Sequence, residues 1–367
     1  MTTGVEVTPT QHLGIDEIEA VAVGAAFYGC GGGGSLVEGR ILASSIAGRL
    51  GARRVGLAPL EALPDAARVA VPSAFARPRA VASVDAAVVA FRELAARTGG
   101  SFDAVLPADL GVVSVLVACA VAAEFDVPVI DAGGAARSAG HLDQTTWAAA
   151  GVVAESAVLS DGDEHVVLQS DSVLVADRSI RAVVSSDSLR GSVACATWAM
   201  RGPTARRSSL PGIVTAALRA GRAVAAVADQ GGDAVAELVD AVDGAVLAGR
   251  GCIAGVTVAL HDRAEHFEIQ IDTEAGRLEV LSVGGHLQLR VGGTLVVGAP
   301  DLIAVVTPGG LGCTPRDLAV PAMEGQPVAV IATPAPTAHG AAVDPVSFGE
   351  EHLLLGTDTA AVPFTLR

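Results

Sequence analysis

Residues Gly29-Cys30-Gly31-Gly32-Gly33-Gly34 set a single thiol among five glycines, and no other stretch limits the possible folds so sharply. Before it, Ile15, Ile18, Val21, Ala22, Ala25 and Ala26 recur at helical spacing; after it, Ile41, Leu42, Ile46 and Leu50 mark a second amphipathic helix from Leu36 to Leu50. A glycine run between two helices exposes backbone N–H groups and lets another chain segment or a ligand approach the main chain closely. Those N–H groups, together with the start of the second helix, favour a thiolate on Cys30. The loop is therefore a candidate active site, with Cys30 as nucleophile and Gly31, Gly32, Gly33, Gly34 and Ser35 as ligand contacts. The competing reading is that Cys30 is a small buried residue packed under the loop, the common fate of free cysteine.

Several functions are disfavoured by composition. A net charge of −16 disfavours nucleic acid and anionic membrane as partners. The start Met1-Thr2-Thr3-Gly4-Val5-Glu6 has no signal-peptide pattern, and the apolar run Val112–Ala123 is too short to cross a bilayer and reads as a buried helix, so a cytoplasmic protein is expected. The five cysteines lie far apart with no CxxC pair, which predicts no disulfide framework. The chain contains no lysine, which removes Schiff-base, P-loop and Ser-x-x-Lys chemistry. The histidines are scattered, so neither a metal nor another cofactor is expected. The remaining partner class is a small-molecule substrate. Abundant small apolar residues and sheet edges in the second half point to a homo-oligomer.

The first part of the chain alternates helices with short strands at Arg54–Leu57, Ala104–Pro107 and Val127–Asp131, which predicts an α/β domain with a mainly parallel sheet. Further on, His165–Leu168, Ser172–Val175, Ile180–Val184 and six segments between His266 and Ile331 read as strands, with helices at Pro211–Val227 and Ala234–Val242. The expected division is an α/β domain over residues 1–165 and a β-rich domain with two helices over 166–367.

Other motifs are weaker. Gly29–Gly34 fits GxGxxG formally, but a helix rather than a strand precedes it. His261-Asp262-Arg263-Ala264-Glu265-His266 matches neither HExxH nor HxxEH, and no GxSxG elbow occurs. Asp131, at the carboxyl end of a strand and followed by Gly133-Gly134 and Arg137, lies where α/β folds place ligand groups. Asp131 is a candidate catalytic acid and Arg137 a carboxylate holder; the alternative is that Asp131 caps the next segment and pairs with Arg137 at the surface. Asp109 is a third candidate catalytic group, and His141, with Asp143, is placed to line the same crevice.

Leu13–Ala20 leading into Gly24-Ala25-Ala26-Phe27-Tyr28-Gly29-Cys30-Gly31-Gly32-Gly33-Gly34 resembles the opening of the S-methyl thiohydantoin desulfurase-like family. Blocks at Leu106–Val113, Val127–Trp147, Pro300–Ile303, Gly325–Ile331 and Asp344–Gly349 are similar in the same order, spanning nearly the whole chain. The resemblance implies two domains and hydrolytic removal of methanethiol from an S-methylated thiohydantoin. There are departures. Asp109-Leu110-Gly111-Val112 stands for the family's usual Glu-Ile-Gly-Gly, and Asp131-Ala132-Gly133-Gly134 lacks the second acid of Asp-Ala-Asp-Gly. His141 replaces an acid, and Val283-Gly284-Gly285 replaces Gln-Asn-Glu. Three readings follow: a hydrolase or lyase on a five-membered heterocycle, a repurposed enzyme for another small cyclic or thioester-like molecule, and a non-catalytic partner.

Overall fold

The computed structural model describes residues 5–51, 53–75, 81–261, 264–348 and 364–366. In chain order its first part contains β1 (Gln11–Leu13), α1 (Ile15–Tyr28), α2 (Leu36–Leu50), β2 (Val55–Pro59), β3 (Arg68–Phe75), α3 (Val84–Arg97), β4 (Ala104–Val105), α4 (Val112–Phe125) and β5 (Val129–Gly133). Then come α5 (Thr146–Ala149), β6 (Ser156–Ser160), β7 (His165–Gln169), α6 (Val173–Ser185), β8 (Val193–Arg201), α7 (Gly202–Ser208), β9 (Leu210–Pro211), α8 (Ile213–Gln230) and α9 (Ala234–Ala241). The second part is β10 (Val246–His261), β11 (Ala264–Thr273), β12 (Gly276–Val283), β13 (His286–Val291), β14 (Thr294–Gly298), β15 (Leu302–Val306) and β16 (Pro327–Thr333).

The fold is α/β with a β-rich second part, as the alternation of elements implied. The first sheet runs β1-β2-β5-β4-β3-β8-β6-β7, with β9 attached to β5. Its central strands β2, β5, β4 and β3 are parallel and carry antiparallel strands on both sides. The second sheet, β14-β13-β12-β11-β10-β16-β15, is antiparallel throughout. β7, which starts at His165, and β8 complete the first sheet, so the sheets do not divide at that residue.

Ser172–Val175 and Ile180–Val184, expected as strands, form one helix, α6. Ser172 caps it by accepting a hydrogen bond from Val175 N, and Ala176, Asp177 and Ile180 share its buried face. Leu174 and Val175, at 44% and 52% exposure, lie on the outer face. Valine-rich runs look like strands, but here the buried positions recur at the helical period. The strands at Arg68–Phe75 and Val193–Arg201 were not anticipated; they pair with each other in the first sheet.

Two layers fix the joint between the parts. Helices α1 and α8 cross so closely that a Cβ on Gly24 would lie 1.9 Å from Ala217 O and one on Gly221 1.8 Å from Ala20 O. Strand β15 presents Leu302, Ala304 and Val306 to the core containing these helices, and Ile303 and Val305 to the core of the second sheet. This edge strand is thus buried on both faces, and the backbone of Ile303 on it reaches Cys30 of the Gly loop.

Candidate active site at the domain joint

Helix α1 ends at Tyr28, and the chain reverses through Cys30, whose φ of 51° is left-handed. This conformation costs a non-glycine residue about 1 kcal/mol or more, and the loop holds it with Cys30 N donating to Phe27 O at 3.1 Å and Gly32 N to Gly29 O at 2.9 Å. Cys30 is fully buried rather than displayed. Its Sγ donates to Tyr28 O at 3.2 Å, and the backbone of Ile303 on β15 hydrogen-bonds to it. Burial pushes the thiol's pKa up, while Arg137's charge and the Ile303 bond pull it down without prevailing. The resting group is therefore a thiol, not the thiolate that an open loop would favour. The start of α2 does not serve it either: Ser35 accepts from Glu38 N, and Glu38 Oε2 accepts from Ser35 N, closing a capping box.

Each glycine after Cys30 has a different neighbour at contact. A Cβ on Gly31 would lie 2.6 Å from His286 Nε2, and one on Gly32 would lie 2.4 Å from Gly284 O and 2.9 Å from Ser138 Oγ. The corresponding position on Gly33 is 2.6 Å from Gly111 Cα, and on Gly34 2.5 Å from Val113 Cγ2. Gly33 O also accepts from Val113 N at 2.8 Å. The glycines therefore serve close approach: the start of α4, the loop around Ser138 and the β12–β13 turn all meet the main chain here.

His286 gave no sequence signal beyond its place after Gly284-Gly285, yet it holds the joint together. Its N donates to Cys30 O at 2.6 Å, and its O accepts from Arg137 Nη2 at 2.6 Å. Its ring lies 3.2 Å through Nε2 from Cys313 O and 2.8 Å through Nδ1 from Ser282 Oγ. A carbonyl only accepts, so the network assigns the proton to Nε2, and Nδ1 accepts from the Ser282 hydroxyl. Burial lowers the imidazole pKa to about 4, so the ring is neutral at pH 7.

Arg137 is 1% exposed. It reaches out of the first domain to Asp301 O at 2.8 Å and His286 O, with Phe348 5.5 Å from its guanidinium carbon. It does not pair with Asp131. Asp109, also buried, accepts from Gly111 N at 2.8 Å and Ala139 N at 3.0 Å, tying the two loops that flank the glycines. Burial raises its pKa against those bonds.

The other predicted residues lie elsewhere. Asp131 accepts from Val214 N, Thr215 N and Thr215 Oγ1 at 2.8, 3.0 and 2.6 Å, so both its oxygens cap α8. This is capping across the sheet, where the sequence suggested a cap on the next segment. His141 Nδ1 lies 2.9 Å from Asp177 Oδ2, and Arg181 Nε is also 2.9 Å from that oxygen. Burial raises the Asp177 pKa, but His141 and Arg181 together hold it well below the usual carboxylate range. Structure therefore brings Cys30, the glycines, Asp109 and Arg137 together, and sets Asp131 and His141 to other tasks.

Among the described residues, no group of three or more His, Cys, Asp or Glu side chains is arranged to hold a metal. His261 and His266 stack edge to face 5.0 Å apart; Asp262 and Arg263 of that motif, and Gly349 of the closing block, lie outside the described residues. No described helix is long and apolar enough to cross a membrane.

The family model described as S-Me-THD-like, N-terminal domain, matches residues 16–171, and the one described as S-Me-THD-like, C-terminal domain, matches 170–349. The chain belongs to the S-Me-THD-like family. Among curated proteins nothing matches it. A protein from Chromobacterium violaceum, solved by X-ray crystallography, superposes with a TM-score of 0.79 at 23% identity, covering 95% of this chain and 98% of that one. That likeness establishes a shared fold. In this S-Me-THD-like chain, the Gly-Cys loop of the first matched domain and the β12–β13 turn of the second meet at the joint described above.

Proposed function

We propose that this S-Me-THD-like protein is a hydrolase that removes methanethiol from an S-methylated thiohydantoin or a similar five-membered heterocycle at the domain joint. The supporting observation is Cys30: a thiol on a left-handed turn, between the Ile303 backbone and the field of Arg137, at the meeting point of the two matched domains. In this reading the sulfur of Cys30 adds to the ring carbon that bears the methylthio group, and the thiol proton passes to the departing methanethiol. Water then adds its oxygen to that carbon, breaking the bond to Cys30 and returning a proton to the sulfur. The net reaction consumes one water and yields a hydantoin and methanethiol. Gly-loop amides and Arg137 offset negative charge as it develops. Complete burial of Cys30 means that the joint opens for substrate to enter.

The experiment is direct. Purified protein is mixed with an S-methyl thiohydantoin, and free thiol is followed with a chromogenic disulfide while hydantoin is identified by mass. Absence of both products overturns the proposal. A second reading is a non-catalytic partner retaining the fold; it is favoured by the commitment of His286, Arg137 and Asp109 to holding the joint together. A repurposed enzyme for another small cyclic or thioester-like substrate would leave Cys30 selectively reactive without hydantoin formation. We also propose a symmetric homo-oligomer. Among the described residues, β10 beyond residue 253 pairs only with β11, and Val258 and Leu260 are 49% and 70% exposed there. A single monomeric species in light scattering would overturn that assignment.

A further inference from the structure

We propose that Arg137 is the anion anchor of this site: a substrate at the Gly loop presents a planar negative group, a carboxylate or a deprotonated ring amide, to its guanidinium. The inference rests on the reading of the Gly loop as the ligand site and names the charge of what binds there.

Three observations carry it. First, the guanidinium is buried and, among the described residues, its only hydrogen-bond partners are the backbone carbonyls of Asp301 and His286; Nε is buried without any partner. No carboxylate oxygen of a described residue lies within ion-pair distance of it. A buried charge held by neutral acceptors alone is costly, since carbonyl dipoles replace only part of its hydration. Two carbonyls would be served equally well by an uncharged amide, so the clasp alone does not account for an arginine.

Second, the groups around it do not balance the charge by contact. Asp301 feels Arg137 electrostatically, but its Oδ1 accepts from Ala335 N at 2.7 Å, and burial raises its pKa. His286 and His339 are both fully buried neutral imidazoles. Third, Arg137 adjoins Ser138, whose hydroxyl lies 2.9 Å from where a Gly32 Cβ would stand. Arg137 is therefore the chain neighbour of a side chain that meets the Gly loop, and its guanidinium holds His286 O, the carbonyl of the residue whose N donates to Cys30 O. Arg137's field also reaches the Cys30 thiol. A planar anion that takes over the guanidinium as the joint opens replaces its carbonyl partners with a charge-assisted pair.

The test uses the full chain and two product-like probes, hydantoin-5-acetate and its neutral amide, with affinities measured by calorimetry at neutral pH. Parent hydantoin is titrated across rising pH in parallel. A carboxylate source predicts that the acid binds on the order of tenfold or more tighter than the amide. A ring-amide source predicts affinity for parent hydantoin that rises as its N–H ionises. Either preference should vanish in Arg137→Gln and survive in part in Arg137→Lys. Equal affinity of acid and amide with no pH-dependent gain, or no binding by any probe, overturns the anchor. Those titrations need only the wild-type protein, so the anchor can be refuted even if Arg137→Gln fails to fold. Tight acid binding without methanethiol release would instead sink the proposed reaction and leave the anchor standing.

Discussion

The Gly loop and helix α4 touch through Gly34 and Val113, and each buries a cysteine completely, yet the two surroundings differ in almost every other respect. Cys119 lies in a helix whose residues from Val112 to Ala123 are all buried, and burial alone pushes its thiol up to about 12. Cys30 is opposed in its own rise by the Arg137 charge and the Ile303 backbone, and sits on a turn that only close packing could hold. Equal burial therefore does not define equal roles. An apolar shell leaves the cost of burial unopposed, whereas a nearby positive charge and a backbone bond offset part of it at Cys30.

The largest expected effect sharpens that contrast. Cys30→Ser should fold and lose methanethiol release by orders of magnitude, because an alkoxide is far harder to form than a thiolate. Cys119→Ser should keep turnover and change only stability. Near wild-type turnover in Cys30→Ser would assign both cysteines to packing.

Next in size is the loop itself. Gly31 has φ +74°, and a methyl there would meet His286 Nε2 at 2.6 Å. Gly31→Ala should cost roughly 2–5 kcal/mol, combining left-handed strain with overpacking. Gly48, exposed in α2 with nothing near its Cβ position, provides the control. Gly48→Ala should stabilise by about 0.5–1 kcal/mol. Urea denaturation reads both; equal midpoints for the two variants would mean that the loop tolerates side chains and is not the close-packed joint described.

The same contrast explains what could be read from sequence. Helix α4 was legible as a buried helix because its hydrophobicity is continuous, and the helices flanking the Gly loop were legible from their period. Cys30 and the glycines stood out by composition. His286 did not, because its importance lies in backbone bonds to Cys30 and Arg137, 256 and 149 positions away in numbering (286 − 30 and 286 − 137), and no local pattern encodes them. Asp131 misled in the opposite way. Its position at a strand end is that of a ligand group, but the helix it caps starts 82 residues later (213 − 131) and crosses back over the strand. Long-range pairing also drew Val193–Arg201 into the first sheet, past the boundary that composition suggested.

A smaller effect should appear on acidification. Burial lowers the pKa of His286 and His339 from 6.5 to about 4. Between those values the unfolded chain binds more protons than the folded one, so stability is full above pH 6.5 and falls as pH drops toward 4. Each histidine contributes up to roughly 3 kcal/mol to that loss. Asp109, raised by burial, acts in the opposite sense over part of the range, so the informative quantity is a difference between variants. His286→Asn should show a shallower fall in urea midpoint between about pH 7.5 and about pH 5 than wild type. Parallel curves would mean that His286 is not held neutral at the joint.

The smallest effect separates Asp131 from the joint altogether. Both of its oxygens receive bonds from the first turn of α8, two from backbone N–H groups and one from the Thr215 hydroxyl. Asparagine caps helices nearly as well as aspartate, and its remaining oxygen can keep the backbone bonds while the threonine hydroxyl turns to accept from the new amide. Asp131→Asn should therefore cost less than about 1 kcal/mol, whereas Asp131→Ala, which leaves the helix N–H groups without an acceptor, should cost about 1–2 kcal/mol. Neither should change turnover beyond what lost stability explains. A catalytic carboxylate behaves otherwise, since Asp131→Asn would then fold normally and lose turnover by orders of magnitude. That outcome would return Asp131 to the active site and break the division drawn between strand-end acids and the glycine joint.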